Sequence, residues 1–201
     1  MPWIDVIRPD EASGELADLY RAIAGARGGV ADVHQVQSLN PRAMATHLEL
    51  YKAIMFQRSS LSRRDRERIG VVVSAANGCR YCVAHHGQAL RNLREDPAVA
   101  DALEGGAVDA HGLSDGECAL LAWARHATLA PAEADAAALE TLRGHGYDDR
   151  ALLDAALTVG YFNFVNRLVL LLGVDLEEGF ERTCAPEMAA ASVDPEGVAP
   201  A

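Results

Sequence analysis

Apolar residues recur along this chain at the three- and four-residue spacing of amphipathic helices, beginning with an Ala- and Leu-rich stretch from about Ser13 to Gly25. Alternating runs flanked by hairpin dipeptides are missing, so strands are not predicted. The run from Ile69 to Val73 is β-branched, but Arg- and Asp-rich sequence precedes it and Ala-rich sequence follows it. We predict a buried helix there, and an all-α protein as a whole.

Capping residues mark where these helices begin and end. Helix starts are predicted at Asn40 before Pro41, at Ser62 with Asp65, near Cys79, at Asp96 before Pro97, at Ser114 with Glu117, near Pro131, and at Asp148 or Asp149. Glycines that stop helices stand at positions 78, 105, 106, 144, 146 and 173. The helix from Pro41 is expected to reach Arg58. About seven helices are predicted in this way.

One helical domain is expected over residues 1–185, because half of the 201 residues are apolar and a chain of this size buries a substantial core. From Pro186 the Ala, Pro and Gly content rises and the periodicity ends, so residues 186–201 are expected to form a mobile tail.

The charge and the lack of targeting signals narrow the expected partners. The net charge of −11, from 18 Lys and Arg against 29 Asp and Glu, disfavours nucleic acid and anionic membrane surfaces. No stretch approaches the roughly 20 apolar residues of a spanning helix, and no basic amino-terminal segment precedes an apolar run. We therefore expect a cytoplasmic protein without a membrane or nucleic-acid partner.

The candidate chemistry centres on a CxxC pair, Cys79 and Cys82. In a reducing compartment such a pair indicates metal binding or redox catalysis. His86 follows Cys82 by four residues, so on a helix the two thiols and the imidazole share one face. A turn near Gly78 would return this helix antiparallel to the preceding one, which carries Glu67. Glu67 and His86 should then lie level across the helical hairpin.

These residue types suit a redox centre, although two other interpretations remain. The helix amino terminus favours thiolates, an imidazole accepts or returns a proton, and a carboxylate orients the imidazole. The same dithiol could serve a general thiol-disulfide oxidoreductase without a preferred peroxide. Alternatively, Cys79, Cys82, His86 and Glu67 could hold zinc in a structural module. A lone CxxC with its third ligand on the same helix is not the usual closed zinc site, so we expect no metal.

The motif resembles that of alkylhydroperoxidase D (AhpD), in the carboxymuconolactone decarboxylase-like superfamily. Glu67 is followed after eleven residues by Cys79, after two more by Cys82 and after three more by His86. The sequence of residues 71–90 is more similar still to a peroxidase-related branch of that superfamily. The opening Pro2-Trp-Ile and the segment of residues 161–167 also fit this branch, so the resemblance covers most of the chain.

The resemblance implies a compact all-helical fold, with a central helical hairpin carrying the CxxC, and a thiol-dependent peroxidase. It implies no separate cofactor, because the Cys79–Cys82 disulfide would itself be redox-active, and an external thiol or dithiol protein would reset it. By motif position Cys82 would become the sulfenic acid, Cys79 would be its proton donor and resolving partner, and His86 and Glu67 would form the relay. The residues alone leave the order open, because Cys79 is nearer the helix terminus and Cys82 nearer the histidine. Lactone decarboxylation needs no cysteine pair, so the CxxC argues against it.

Five further residues are candidates for a pocket or an interface. Tyr81 stands between the cysteines, where AhpD has a second histidine. His85 points about 100° away from its neighbouring histidine around the helix. Asn163, Asn166 and Arg167 are polar positions in an apolar helix, and such groups need partners. We expect them to line the mouth of the thiol site or to bridge subunits.

The apolar helix that contains Asn163, Asn166 and Arg167 also predicts self-association. Leucine and valine cover all its sides over residues 168–172, so it should be buried within the subunit or against a neighbour. We predict a homo-oligomer; the resemblance implies trimers or hexamers, of which we favour the hexamer.

Cys118 and Cys184 lack ligand-spaced neighbours and are expected to be small, mostly buried thiols. Aromatic spacing fits core or interface packing for Trp123, His126, Tyr161, Phe162 and Phe164.

Overall fold

A computed structural model describes residues 2–27 and 29–181 of the chain. The described part contains nine α-helices and one 3-10 helix without any strand, which confirms the all-α prediction. The predicted tail at 186–201 and Cys184 lie outside the described residues. The helices are α1 Gly14–Arg27, α2 Asp32–Gln35, α3 Pro41–Met55, α4 Arg63–Ala76, α5 Arg80–Asn92, α6 Pro97–Glu104, α7 Asp115–Leu129, α8 Ala136–Gly144 and α9 Asp149–Leu172.

Most of the residues predicted to cap helices do so in the structure. Backbone amides donate to the side chains of Asn40, Ser62, Asp96, Ser114 and Asp148, and the Ser114 cap is a full capping box. Some boundaries differ from the prediction, and one short helix was not predicted. α3 ends at Met55 rather than Arg58, the segment Pro131–Glu133 is a 3-10 helix so that α8 starts after Asp135, and the four-residue α2 has no periodicity long enough to detect.

α4 is the central helix and contacts α5, α6, α7 and α9. The β-branched run from Ile69 to Val73 is buried within it, as predicted. Gly70 lies against α9, where a Cβ atom would come within 2.5 Å of the Phe162 ring. Any larger residue at position 70 would therefore displace the Phe162 ring or move the two helices apart.

α9 departs from the expectation that no segment could span a membrane. By length and composition alone it is apolar enough to cross one. Its buried side nevertheless carries Asp154, which bonds to Arg66 and Arg150, and Asn166, which donates to the Ser74 hydroxyl. Such contacts are typical of a core helix, because buried polar groups must find partners within the protein.

The opposite side of α9 presents a stripe of exposed apolar side chains, here called the α9 stripe: Leu153, Leu157, Phe164 and Leu171. Successive members are four, seven and seven residues apart, so they lie on one face of the helix. Apolar patches of this kind mark interaction surfaces. We predict that copies of this chain associate through the α9 stripe.

Light scattering at micromolar concentration should accordingly give a mass at least twice the 21.4 kDa of a single chain. Leu157→Glu should reduce that mass, because a charge on the stripe must be desolvated for association. Leu129→Glu, at an exposed leucine at the end of α7 outside the stripe, should leave the mass unchanged. A single-chain mass for the unaltered protein would contradict the prediction.

Candidate active site

The turn between α4 and α5 brings the two cysteines into the core. Gly78 adopts φ 70°, a left-handed conformation that L side chains rarely take. Cys79 follows as the residue preceding the first turn of α5, and its amide donates to the Ser74 carbonyl at 2.9 Å. Cys79 is 0% and Cys82 3% exposed. The pair therefore lies at a helix amino terminus and out of bulk water.

Hydrogen bonding between the two thiols makes their ionisation unequal. The bond from Cys82 lowers the pKa of Cys79 against the effect of burial, and the Cys82 and Tyr81 amides lower it further. The same bond, together with burial, raises the pKa of Cys82 well above its ordinary value. Cys79 is therefore the more acidic thiol of the pair. The resemblance instead implies that Cys82 is the sulfur oxidised first, so the more acidic thiol and the expected nucleophile differ.

Glu67 and His86 meet across the α4–α5 hairpin, with 2.6 Å between Glu67 Oε2 and His86 Nδ1. Glu67 is completely buried. Burial acts to raise its pKa, but Arg63 and then His86 outweigh burial and hold the pKa of Glu67 below its ordinary value. The carboxylate is therefore ionised at neutral pH and can orient the imidazole.

Arg63 is a site residue that sequence reasoning missed. Its guanidinium donates to the second oxygen of Glu67, one helical turn further along α4. It also donates to the Met55 carbonyl at 2.8 Å and stacks over the Phe56 ring, 3.9 Å from its centroid. The four-residue spacing of Arg63 and Glu67 was a signal for this pair, but such pairs are common on exposed helix surfaces.

Aromatic rings form the wall beside the imidazole. The Phe162 and His86 rings pack edge to face with 4.5 Å between their centroids, and the centroid of the Tyr51 ring lies 6.5 Å from that of His86. Phe162 can reach this position because Gly70 leaves room for it on α4. The polar Glu67 and His86 pair is thus enclosed largely by apolar surface, which strengthens its electrostatic interactions.

The polar residues of α9 divide between the thiol site and its support. The buried Asn166 accepts from Asn77 at 2.9 Å, and its hydrogen bond with Cys82 partly opposes the rise in the pKa of that thiol. Asn163 also accepts from Asn77, and Arg167 donates back to Asn163. Asn166 thus lines the thiol site, whereas Asn163 and Arg167 support the turn that carries it.

Tyr81 and His85 lie on a different face of α5 from the thiols. The His85 ring stacks on Tyr81 with 4.5 Å between centroids, and its Nε2 atom is 3.2 Å from a Glu177 oxygen. The Tyr81 hydroxyl donates to Glu177 at 3.3 Å and accepts from the Val33 amide at 3.2 Å. Tyr81 also lines a cavity of about 630 Å³ with Arg80 and residues 174–176. These two residues therefore anchor the chain that follows α9.

The other cysteine of the described residues is separate from this site. Cys118 is half-buried on α7, and burial with nearby carboxylates raises its pKa. Within the ranges that the structure describes, no three His, Cys, Asp or Glu side chains are grouped as ligands for a metal ion.

Comparison with known proteins gives three informative matches in fold. A peroxidase-related protein with an AhpD core from Ralstonia eutropha JMP134 is 26% identical, with a TM-score of 0.82 over 91% of this chain and 96% of that one. A peroxidase-related protein from Silicibacter sp. TM1040 is 28% identical, with a TM-score of 0.76 over 90% and 92%. The debrominase Bmp8 is 20% identical, with a TM-score of 0.73 over 92% and 97%, which shows a shared fold alone.

These matches show an AhpD-like helical fold, and one family model matches part of the sequence. The carboxymuconolactone decarboxylase family matches over residues 41–126, a range that contains all four motif residues. The chain belongs to the AhpD and carboxymuconolactone decarboxylase superfamily, and its relationship to peroxidase-related proteins holds at that level.

Proposed function

We propose that this protein is a thiol-dependent peroxidase that reduces hydroperoxides through a Cys79 and Cys82 dithiol-disulfide cycle, with Glu67 and His86 as its proton relay. The observation that carries the proposal is the 2.6 Å contact between the fully buried Glu67 and His86, which lies one helical turn from Cys82. An ionised carboxylate beside an imidazole on the thiol face is the arrangement that general acid-base catalysis requires. No metal and no organic cofactor takes part.

The chemistry begins with transfer of the Cys82 proton to the Cys79 thiolate. The resulting Cys82 thiolate attacks one peroxide oxygen, the O–O bond breaks, and sulfur becomes a sulfenic acid. The departing alkoxide takes a proton from the Cys79 thiol and leaves as an alcohol, or as water when the oxidant is hydrogen peroxide. The Cys79 thiolate then attacks the sulfenic sulfur, a disulfide forms, and the departing hydroxide takes a proton from the relay and leaves as water. An external thiol or dithiol protein returns two electrons and two protons.

Burial of the two sulfurs favours a small oxidant. A protein disulfide must present its sulfur in line with an exposed thiolate, whereas a peroxide needs room for only two oxygens and their substituent. With Cys79 and Cys82 at 0% and 3% exposure, a hydroperoxide reaches the reduced sulfurs more easily than a protein disulfide does. The same burial means that the Cys79–Cys82 bridge must become more exposed before a thiol protein reduces it. We further propose that the protein works in the cytoplasm, where thiol reductants are abundant.

The deciding experiment mixes the reduced protein with hydrogen peroxide or an organic hydroperoxide in a stopped-flow instrument and counts thiols afterwards. One equivalent of peroxide should remove two thiols per chain, and peptide mass spectrometry should find a Cys79–Cys82 bridge that a dithiol reverses. Cys118→Ser, outside the pair, should behave as the unaltered protein. A bridge to Cys118, or stoichiometric zinc that survives dialysis, would refute the proposal. Oxidation by disulfides but not by peroxides would instead establish a general disulfide oxidoreductase.

A further inference from the structure

The Glu67 carboxylate is shared between two cationic or proton-donating groups. One oxygen accepts from the Arg63 guanidinium and the other lies 2.6 Å from His86 Nδ1. No part of Glu67 reaches solvent, so water does not compete for these oxygens. A carboxylate in such a place stays ionised only if an adjacent cation offsets its desolvation.

Contacts other than Glu67 hold Arg63 in position. The Met55 carbonyl accepts from Nη1, the Phe56 ring packs beneath the guanidinium, and Tyr51 on α3 forms a further side-chain hydrogen bond. The guanidinium is therefore placed in advance by the α3–α4 connection. The titratable or charged groups facing the carboxylate are Arg63 from its own helix and His86 from α5.

The charge on Glu67 determines which imidazole nitrogen carries the proton. An ionised carboxylate can only accept, so His86 Nδ1 must donate and Nε2 keeps the lone pair of the neutral ring. A protonated Glu67 could instead donate to Nδ1, and the proton of the neutral ring would then reside on Nε2. In that tautomer Nε2 cannot accept a proton from the thiol site.

We propose that Arg63 is a positioning residue that keeps Glu67 ionised and thereby fixes His86 in the tautomer whose Nε2 atom accepts protons. Glu67 then orients the imidazole without itself receiving a proton during turnover. The catalytic consequence rests on the proposed peroxidase function, whereas the tautomer does not.

The test compares Arg63→Met, which removes the charge, with Arg63→Lys, which retains it. Nitrogen-15 NMR of the reduced protein, recorded over a pH series, identifies the tautomer where the imidazole is neutral. The unaltered protein and Arg63→Lys should show the proton on Nδ1, and Arg63→Met should show it on Nε2.

Thiol alkylation at neutral pH should slow about tenfold or more in Arg63→Met and be largely restored in Arg63→Lys. Arg58→Met, at an exposed arginine, is the matched control and should change neither readout.

Two further variants separate the possible outcomes. Arg63→Gln keeps a hydrogen-bond donor without the charge and serves if Arg63→Met fails to fold. Glu67→Gln, which preserves side-chain volume, should slow alkylation by itself, and adding Arg63→Met should have little further effect, because both act through one carboxylate. An unchanged tautomer in both neutral Arg63 variants would overturn the inference even if peroxide is consumed. The expected tautomers without any peroxide reduction would overturn the proposed function and leave the role of Arg63 intact.

Discussion

Cys82→Ser should reduce hydroperoxide consumption to the background rate, whereas Cys79→Ser should complete the first oxidation and stop at a sulfenic acid on Cys82. Only the attacking sulfur is needed for that first step, and without Cys79 no disulfide can form. A serine hydroxyl cannot replace the thiolate because it is scarcely ionised near neutral pH and its oxygen is not oxidised by peroxide.

Dimedone trapping followed by peptide mass spectrometry distinguishes the two variants. The adduct should be found on Cys82 in the Cys79→Ser protein and should be absent from the Cys82→Ser protein. An adduct on Cys79, formed at the full single-turnover rate in Cys82→Ser, would reverse the roles. That reversal has a physical basis, because the pKa of Cys79 is the lower of the two.

The order of the two cysteines shows where sequence reasoning ends. Helical spacing placed one thiol near the helix terminus and the other near the histidine, and both features activate thiols. The structure adds a hydrogen bond between the sulfurs and a contact from Asn166, which follows Cys82 by 84 positions along the chain. Ionisation of the pair depends on these contacts, which no local pattern contains.

The fold could be predicted from the sequence more fully than the site, because the signals for helices are local. Ser62 and Ser114 cap helices through residues only three positions away. The position of Glu67 opposite His86 was likewise predicted from a single turn and the rise of the two helices that flank it. α2 was missed because four residues are too few for a periodic pattern. The catalytic roles of these residues stay predictions.

The surroundings of His86 depended on packing between distant segments. Arg63 matters because the end of α3 supplies Met55 and Phe56 as its supports. Phe162 was expected only to pack, yet it forms the wall of the imidazole because Gly70 admits it. Such juxtapositions follow from how helices cross, and periodicity alone does not determine crossing.

A buried ion cluster on α4 provides a second structural support near the site. Arg68 donates to Glu95, in the connection between α5 and α6, and to Glu117 in the first turn of α7. It also bonds to Asp65 at 3.2 Å. Arg68 and Glu95 are almost completely buried, so one guanidinium offsets the desolvation of carboxylates from three parts of the chain.

Arg68→Met should lower the free energy of unfolding by about 3 to 5 kcal/mol, because Glu95 would remain buried without its cation. For a chain of this size that loss corresponds to a fall in Tm of roughly 10 °C. Arg21→Met, which breaks only an exposed pair with Asp18, should change the free energy by less than about 1 kcal/mol. Thermal and urea unfolding of both variants measure the difference, and equal stabilities would contradict the role assigned to Arg68.

The difference between the Arg68→Met protein and the unaltered protein should also shrink in acid. Burial acts to raise the pKa of Glu117, but the Ser114 amide and Arg68 outweigh it and lower the pKa below the ordinary 4.5. A carboxylate whose pKa is depressed by folding contributes stability that is present above its unfolded pKa and is lost as pH falls through the folded one. Urea unfolding at neutral pH should therefore show a large difference in the free energy of unfolding between the two proteins. Below pH 4 that difference should become progressively smaller. An undiminished gap in acid would mean that Arg68 stabilises the fold through packing of its side-chain stem rather than through its charge.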